Sequence, residues 1–227
     1  MGKKKIKGIN HNLISFNLPD VYTFVDASLC NNECSNSRIG VYGFVHFRRL
    51  TPFQTIQPFA SGFKIARDCD IHELEARAMR KVIKSISKSF KHPRELEFCI
   101  VTDSDFVFQK LKAYFDGETG WMNKSGKAIK AMIECCELFD RKRHKQHNII
   151  LCKSHTKDSS EQFQYLKHNG MLGIQDRQYA KDIRIGNEYV DYCVTRMALH
   201  EDPGLLNYYN DYESRFDNVD DYEVCDE

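Results

Sequence analysis

Val21-Tyr-Thr-Phe-Val-Asp26 is the stretch whose reading decides the fold: five strand-forming residues, apolar on both faces, that end in an acid. β-Branched and aromatic side chains suit a pleated strand, and a run without a polar face belongs in the middle of a sheet covered on both sides. Aspartate is disfavoured in such a strand, and a lone buried carboxylate costs several kcal/mol. Asp26 therefore either begins a turn after Val25 or serves as a ligand at the strand's C-terminal end.

The flanking sequence supplies the rest of the sheet. Residues 39–47 carry Val, Tyr, Phe and Val with a glycine and read as a second strand. Residues 55–65 form a weaker third, paired with the second through a turn near Thr51-Pro52. After Asp70, the residues Leu74, Ala78, Met79, Val82, Ile83 and Ile86 recur at helical spacing, and Pro93 explains why that helix stops. Residues 96–101 read as a fourth strand. Helices come next from Ser104 to before Asp116 and from Lys127 to Arg143, then a fifth strand over 149–152 and a last helix over 187–199. The order β-β-β-α-β-α-α-β-α predicts an α/β fold, a five-stranded mixed sheet with helices packed on both faces.

Three segments stand apart. Residues 1–18 read as a basic arm, 19–200 as one folded domain, and 201–227 as an acidic, flexible tail. Within the domain, residues 156–185 offer two short helical stretches, 161–167 and 178–181, but no sustained period, and are expected to be an inserted loop.

Composition narrows the function classes. No apolar run approaches the roughly 18–20 residues that span a bilayer. The lysine-rich start lacks the apolar stretch of a secretory signal, and Ile6 stands where a myristoylation motif wants Ser or Thr. Nine cysteines without a CxxC pair argue for reduced core thiols rather than a zinc site or a disulfide frame. These features predict an intracellular protein with no membrane association, and they leave the oligomeric state open. The formal net charge of +1 hides an asymmetry: residues 201–227 hold ten acids and one arginine, leaving 32 basic and 22 acidic residues in 1–200. A basic body suggests a polyanionic partner, with a solvated charged surface as the plainer reading.

Four acids occupy similar positions. Asp103 follows the fourth strand and is either a helix N-cap or a ligand. Glu73 begins its helix, where carboxylates favour the dipole, and Asp191 lies one turn into the last helix, where a solvated acid is the easy explanation. Taken together they say more. Asp26 and Asp103 on adjacent strands, with Glu73 and Asp191 aimed at the same sheet end, would repel one another unless cations neutralise them. Oxygen donors without His or Cys suit Mg²⁺ or Mn²⁺. Two such ions roughly 3.5–4 Å apart can activate water and stabilise the leaving oxygen in phosphodiester cleavage. Glu75 competes with Glu73, since the two point about 200° apart on a helix and only one can face the sheet.

The ordered segments Tyr-Thr-Phe-Val-Asp26-Ala-Ser, His-Glu73-Leu-Glu-Ala, Val-Thr-Asp103-Ser-Asp-Phe-Val and Gly-Asn-Glu-Tyr-Val-Asp191 resemble type-1 ribonuclease H enzymes, including those attached to reverse transcriptases. The resemblance covers about residues 21–199. It favours Glu73 over Glu75, because the Leu-x-Ala spacing after Glu73 matches the family. It implies a ribonuclease H-like fold and a metal-dependent endoribonuclease that hydrolyses the RNA strand of RNA–DNA hybrids, leaving 5′-phosphate and 3′-hydroxyl ends. Asp26 would bridge both ions, Glu73 and Asp103 would complete one shell, and Asp191 the other. His155 in Lys153-Ser-His155 resembles the family's mobile histidine and would assist product release or proton transfer. Trp121, Lys124 and Lys127 resemble a substrate-handling region, Ser28 stands in the usual Asp-Gly-Ser with Ala27 replacing the glycine, and Asn31 or Asn32 would read the minor-groove edge. Where family members often carry asparagines before the second acid, this chain has Cys69 and Asp70. A nuclease of the same fold acting on DNA and a catalytically silent nucleic-acid-binding module are the rival readings.

Overall fold

A computed structural model describes residues 21–32, 37–48, 55–89, 98–142, 147–169 and 177–201. The basic arm, the acidic tail after Glu201 and the turn near Thr51-Pro52 lie outside these described residues.

Strands β1 (Val21–Asn32), β2 (Ser37–Arg48) and β3 (Gln57–Arg67) form an antiparallel meander. Helix α1 (Ile71–Ser89), strand β4 (Phe98–Thr102), helices α2 (Asp105–Phe115) and α3 (Lys127–Lys142), and strand β5 (His147–Leu151) come after them. Helices α4 (Ser159–His168) and α5 (Arg177–Glu201) complete the described chain. The sheet order is β3-β2-β1-β4-β5, with β4 and β5 parallel to β1, so β1 is central as its double-sided apolar pattern requires. This is the five-stranded mixed sheet expected from the sequence.

Strand alternation divides β1 between two layers. Tyr22 and Phe24 face α5: Tyr22 lies 5.7 Å from the Tyr179 ring, and a Cβ at Gly186 would stand 2.0 Å from the Phe24 ring. Thr23 faces α1, where its hydroxyl meets His46 Nδ1 at 2.8 Å while His46 Nε2 meets Ser85 Oγ at 2.9 Å. Burial holds His46 neutral, its pKa lowered to about 4. Helices α1 and α2 cover one face of the sheet with α3 packed against them, and α5 covers the other with α4 packed against it.

The short helical stretches expected at 161–167 and 178–181 lie inside α4 and α5, but the inserted loop expected around them is corrected: α4 takes up ten of its residues, and α5 begins at Arg177, ten residues before the expected start. Tyr179, Ala180, Ile183, Val190, Val194 and Ala198 form one continuous buried stripe. Asp182, Arg184 and Asn187 are buried on the same helix and Gly186 interrupts it, which breaks the apolar period by which sequence alone marks a helix. Among the described residues no helix is long and apolar enough to cross a membrane. The seven cysteines described are free thiols, six of them buried.

Candidate functional site

The parallel pairing of β1 with β4 ends at Val25 opposite Thr102, so Asp26 and Asp103 stand side by side. Asp103 lies just past the end of β4, but Asp26, expected to end its strand, is still paired with Gly43 of β2, because β1 runs on to Asn32. Asp26 is 8 % exposed and its Oδ1 accepts from the Ala27 N–H at 2.6 Å. Even-numbered like Phe24, it lies on the α5 face of the sheet, where Asp191 stands. Asp103 is not a helix cap. Ser104 performs that task for α2, accepting from the Val107 N–H, and leaves the Asp103 carboxylate to accept from Asn187 Nδ2 of α5 at 3.4 Å.

Electrostatics show which carboxylates are gathered. Burial raises Asp26 well above the usual carboxylate range, and the charges of Asp103, Asp191 and Glu75 push it further. Asp103 is raised to about 6 by burial, against the Asn187 hydrogen bond and with Asp191 and Glu75 adding to the rise. Four elements thus bring four acids within mutual range.

The fourth of them corrects the sequence reading: it is Glu75, not Glu73. Ser104 Oγ donates to Glu75 Oε2 at 2.6 Å, fixing that carboxylate beside Asp103. Glu73 is buried on another side of α1, paired with Arg77. Helical spacing explains the difference. Glu75 extends the sheet-facing stripe of Met79, Val82 and Ile86, whereas Glu73 extends the stripe of Arg77, Arg80 and Lys84. That phase was present in the sequence and outweighs the Leu-x-Ala spacing. Nor is Glu73 the cap of α1, because Asp70 Oδ1 accepts the Glu73 N–H at 2.8 Å. Asp70, at odds with the family pattern, therefore has a plain structural role.

His155 lies on the loop between β5 and α4, 61 % exposed at its side chain, with Nδ1 3.7 Å from Asp191 Oδ2. Its φ of 50° is a left-handed conformation that non-glycine residues seldom adopt. The loop is pinned nearby: Glu161 pairs with Lys153 and accepts the Lys157 N–H at 2.8 Å, and Asp158 caps α4. Glu188, one turn before Asp191, is a further acid the sequence reading missed; burial raises its pKa, Arg184 opposes that, and Asp191 adds to it.

The predicted substrate residues are placed less uniformly. Ser28 follows Asp26 on the same face of β1, its Oγ 3.8 Å from Cys30 Sγ. Asn31 and Asn32 close β1, and their side chains lie outside those described. Trp121 is corrected: it sits in the 3-10 turn Gly120–Asn123 as a core residue, with the Lys110 ammonium 5.4 Å from its ring, so it does not present an open stacking surface. Lys124 and Lys127 are exposed.

A divalent cation fits this donor set. Among the described residues no three His, Cys, Asp or Glu side chains form a ready-made cage. The donors are nonetheless oxygens, anionic and mutually repelling, and a cation relieves that repulsion. Asn187 Oδ1 is buried without a hydrogen-bond partner among the described residues, in an amide whose other end reaches Asp103.

No family model matches the chain, and no curated protein does. Solved structures resemble it overall. The ribonuclease H domain of prototype foamy virus is 16 % identical, with 77 % of this chain and 97 % of that one covered at a TM-score of 0.48. LC9-RNase H1, described as a type 1 enzyme with the type 2 active-site motif, is 16 % identical over 67 % of this chain and 71 % of its own, at 0.47. RNase H1 from the halophilic archaeon Halobacterium salinarum is 13 % identical over 59 % and 86 %, at 0.43. These are likenesses of fold; the chemistry rests on this chain's own residues.

Proposed function

We propose that this protein is a divalent-metal-dependent endoribonuclease that hydrolyses the RNA strand of RNA–DNA hybrids, with Asp26, Glu75, Asp103 and Asp191 as its ion-holding residues. One observation carries the reading. Acids from β1, α1, the end of β4 and α5 are close enough for three of them to raise the pKa of Asp26, an arrangement that folding alone does not call for.

When bound, two Mg²⁺ or Mn²⁺ ions would supply an activated water and charge stabilisation at the phosphodiester. The chain's own residues do the remaining work. Asp26, which feels the charges of Asp103 and Asp191, would help to hold the ions. Ser104 holds Glu75 in place and Asn187 steadies Asp103. His155, exposed beside Asp191, is placed to hold or release a proton near the departing product. Ser28, Asn31 and Asn32 lie on the strand that carries Asp26 and are suited to contacts with the sugar edge, where the 2′-hydroxyl tells RNA from DNA. Lys124 and Lys127 would meet phosphates. Free thiols fit an intracellular setting.

The test is cleavage of end-labelled RNA–DNA hybrid, duplex RNA and duplex DNA, with Mg²⁺, Mn²⁺ or a chelator. Cleavage confined to the RNA strand of the hybrid, lost with the chelator and lost in Asp103→Asn, is expected. Activity that survives Asp103→Asn would refute the assignment, and cleavage of duplex DNA alone would transfer the reading to a DNA nuclease of the same fold.

A further inference from the structure

Around α1 from the acidic cluster lies an open groove of about 490 Å³, lined by α1, α3 and the β2–β3 hairpin. Seven lysine and arginine side chains line it against two acids, Glu73 and Glu134. Both acids are matched within it, Glu73 to Arg77 and Glu134 to Arg80 at 2.7 Å. The lysines, at positions 64, 81, 84, 127 and 130, account for the surplus of positive charge.

Two of these lysines are held close despite their like charge. Lys81 lies 5.9 Å from the Phe44 ring centroid, donates to the Phe63 carbonyl at 3.4 Å, and has its pKa lowered by burial and by Lys64. Lysines scattered over a surface are ordinary, but several round one concavity gain from a polyanion that neutralises them together. Their spacing favours a chain of anions over a single one. From Glu75 in the cluster to Lys84 is nine residues of helix, about 13–14 Å along the axis, or about four nucleotides at 3.4 Å per nucleotide.

We infer that this groove is a phosphate track, carrying nucleic-acid backbone about four nucleotides beyond the bond held at the acidic cluster. The direction of that extension rests on the nuclease reading; the binding itself does not. The concave shape suits a strand, whereas an anionic membrane would present a flat surface.

The experiment uses the full chain and the double variant Lys84→Gln/Lys130→Gln, whose two sites are exposed on neighbouring helices and outside the cluster. Fluorescence anisotropy in a chelator follows binding to labelled hybrids of about 6 to about 18 base pairs across a salt series. The double variant should bind the longest hybrid about tenfold more weakly near 0.1 M salt, and its log–log salt slope should be shallower by about 1.8, or about 0.9 per lost phosphate contact. The shortest hybrid should bind both proteins alike, and thermal unfolding should coincide. Equal affinity and slope at every length would overturn the track. So would loss of binding only to vesicles of anionic phospholipid, run in parallel. If the wild type binds hybrids through the groove but never cleaves them, the nuclease reading falls and the track stands. If it cleaves and the double variant binds normally, the track falls and the nuclease reading stands.

Discussion

Glu73 and Glu75, two residues apart on α1, sit in opposite surroundings, and glutamine substitution separates their roles. Glu75→Gln removes a charge beside Asp26 and Asp103 and should lower kcat about 10³-fold, more than the 10–100-fold typical of a residue that only orients a ligand. Glu73→Gln breaks the pair between the buried Glu73 and Arg77, whose side chain is 36 % exposed; it should cost about 1–3 kcal/mol and leave kcat within about threefold. Steady-state cleavage and chemical denaturation of the two variants read both numbers, and the opposite ranking would restore Glu73 to the site. Asp103 predicts a stability effect of unusual sign. Its pKa rises to about 6 in the folded chain against an ordinary value of 3.8, so its charged form is disfavoured by folding. That contribution to stability is present below pH 3.8 and lost as pH rises through about 6. In a chelator at pH 7.5, Asp103→Asn should therefore be inactive yet more stable than wild type, by about 1–3 kcal/mol. Its melting temperature should also change less between pH 4 and 6.5. A variant less stable at pH 7.5 would show that the carboxylate is not under strain.

Contact between elements at Gly186 sets the position of Asp191. A methyl group there would stand 2.0 Å from the Phe24 ring, so α5 lies against β1 as closely as its backbone permits. Gly186→Ala must move either the fully buried Phe24 or the helix, at about 1–3 kcal/mol. Because Asp191 lies five residues later on α5, with His155 beside it, the same change should reduce kcat about tenfold or more while leaving substrate affinity nearly intact. Denaturation midpoints and separate kcat and KM values measure this. Full activity in a destabilised Gly186→Ala would mean that the site tolerates displacement of α5.

On the scale of the whole molecule the charges are sorted into separate regions. Four acids gather at one sheet end, a lysine-rich groove runs round α1 from them, and ten acids occupy residues 201–227. An anionic tail can compete with nucleic acid for a basic body, an effect that salt suppresses. Removing residues 202–227, which leaves all of α5 in place, should tighten hybrid binding severalfold at low salt and have no effect near 1 M salt, where the screening length falls to about 3 Å. Equal affinity at both salts would leave the tail a solubilising segment. The same sorting places attraction for phosphates next to a cluster that repels them, which gives bound cations the additional task of admitting the substrate.

What the sequence determined by itself was periodic. The two-sided apolar pattern of β1, the helical spacing of α1 and the acids that follow apolar runs at Asp26 and Asp103 are local properties, and they defined the mixed sheet and two members of the cluster, though not that β1 runs on past Asp26 to Asn32. Even the phase that selects Glu75 was there, in its alignment with Met79, Val82 and Ile86. Only the tertiary structure decided the rest. Polar residues buried on α5 hid its first ten residues, because their partners come from other elements. Ser104 rather than Asp103 capped α2, and Trp121 filled the core instead of facing a substrate. Each of these outcomes depends on which neighbours a side chain meets across the fold, and spacing along the chain does not encode them.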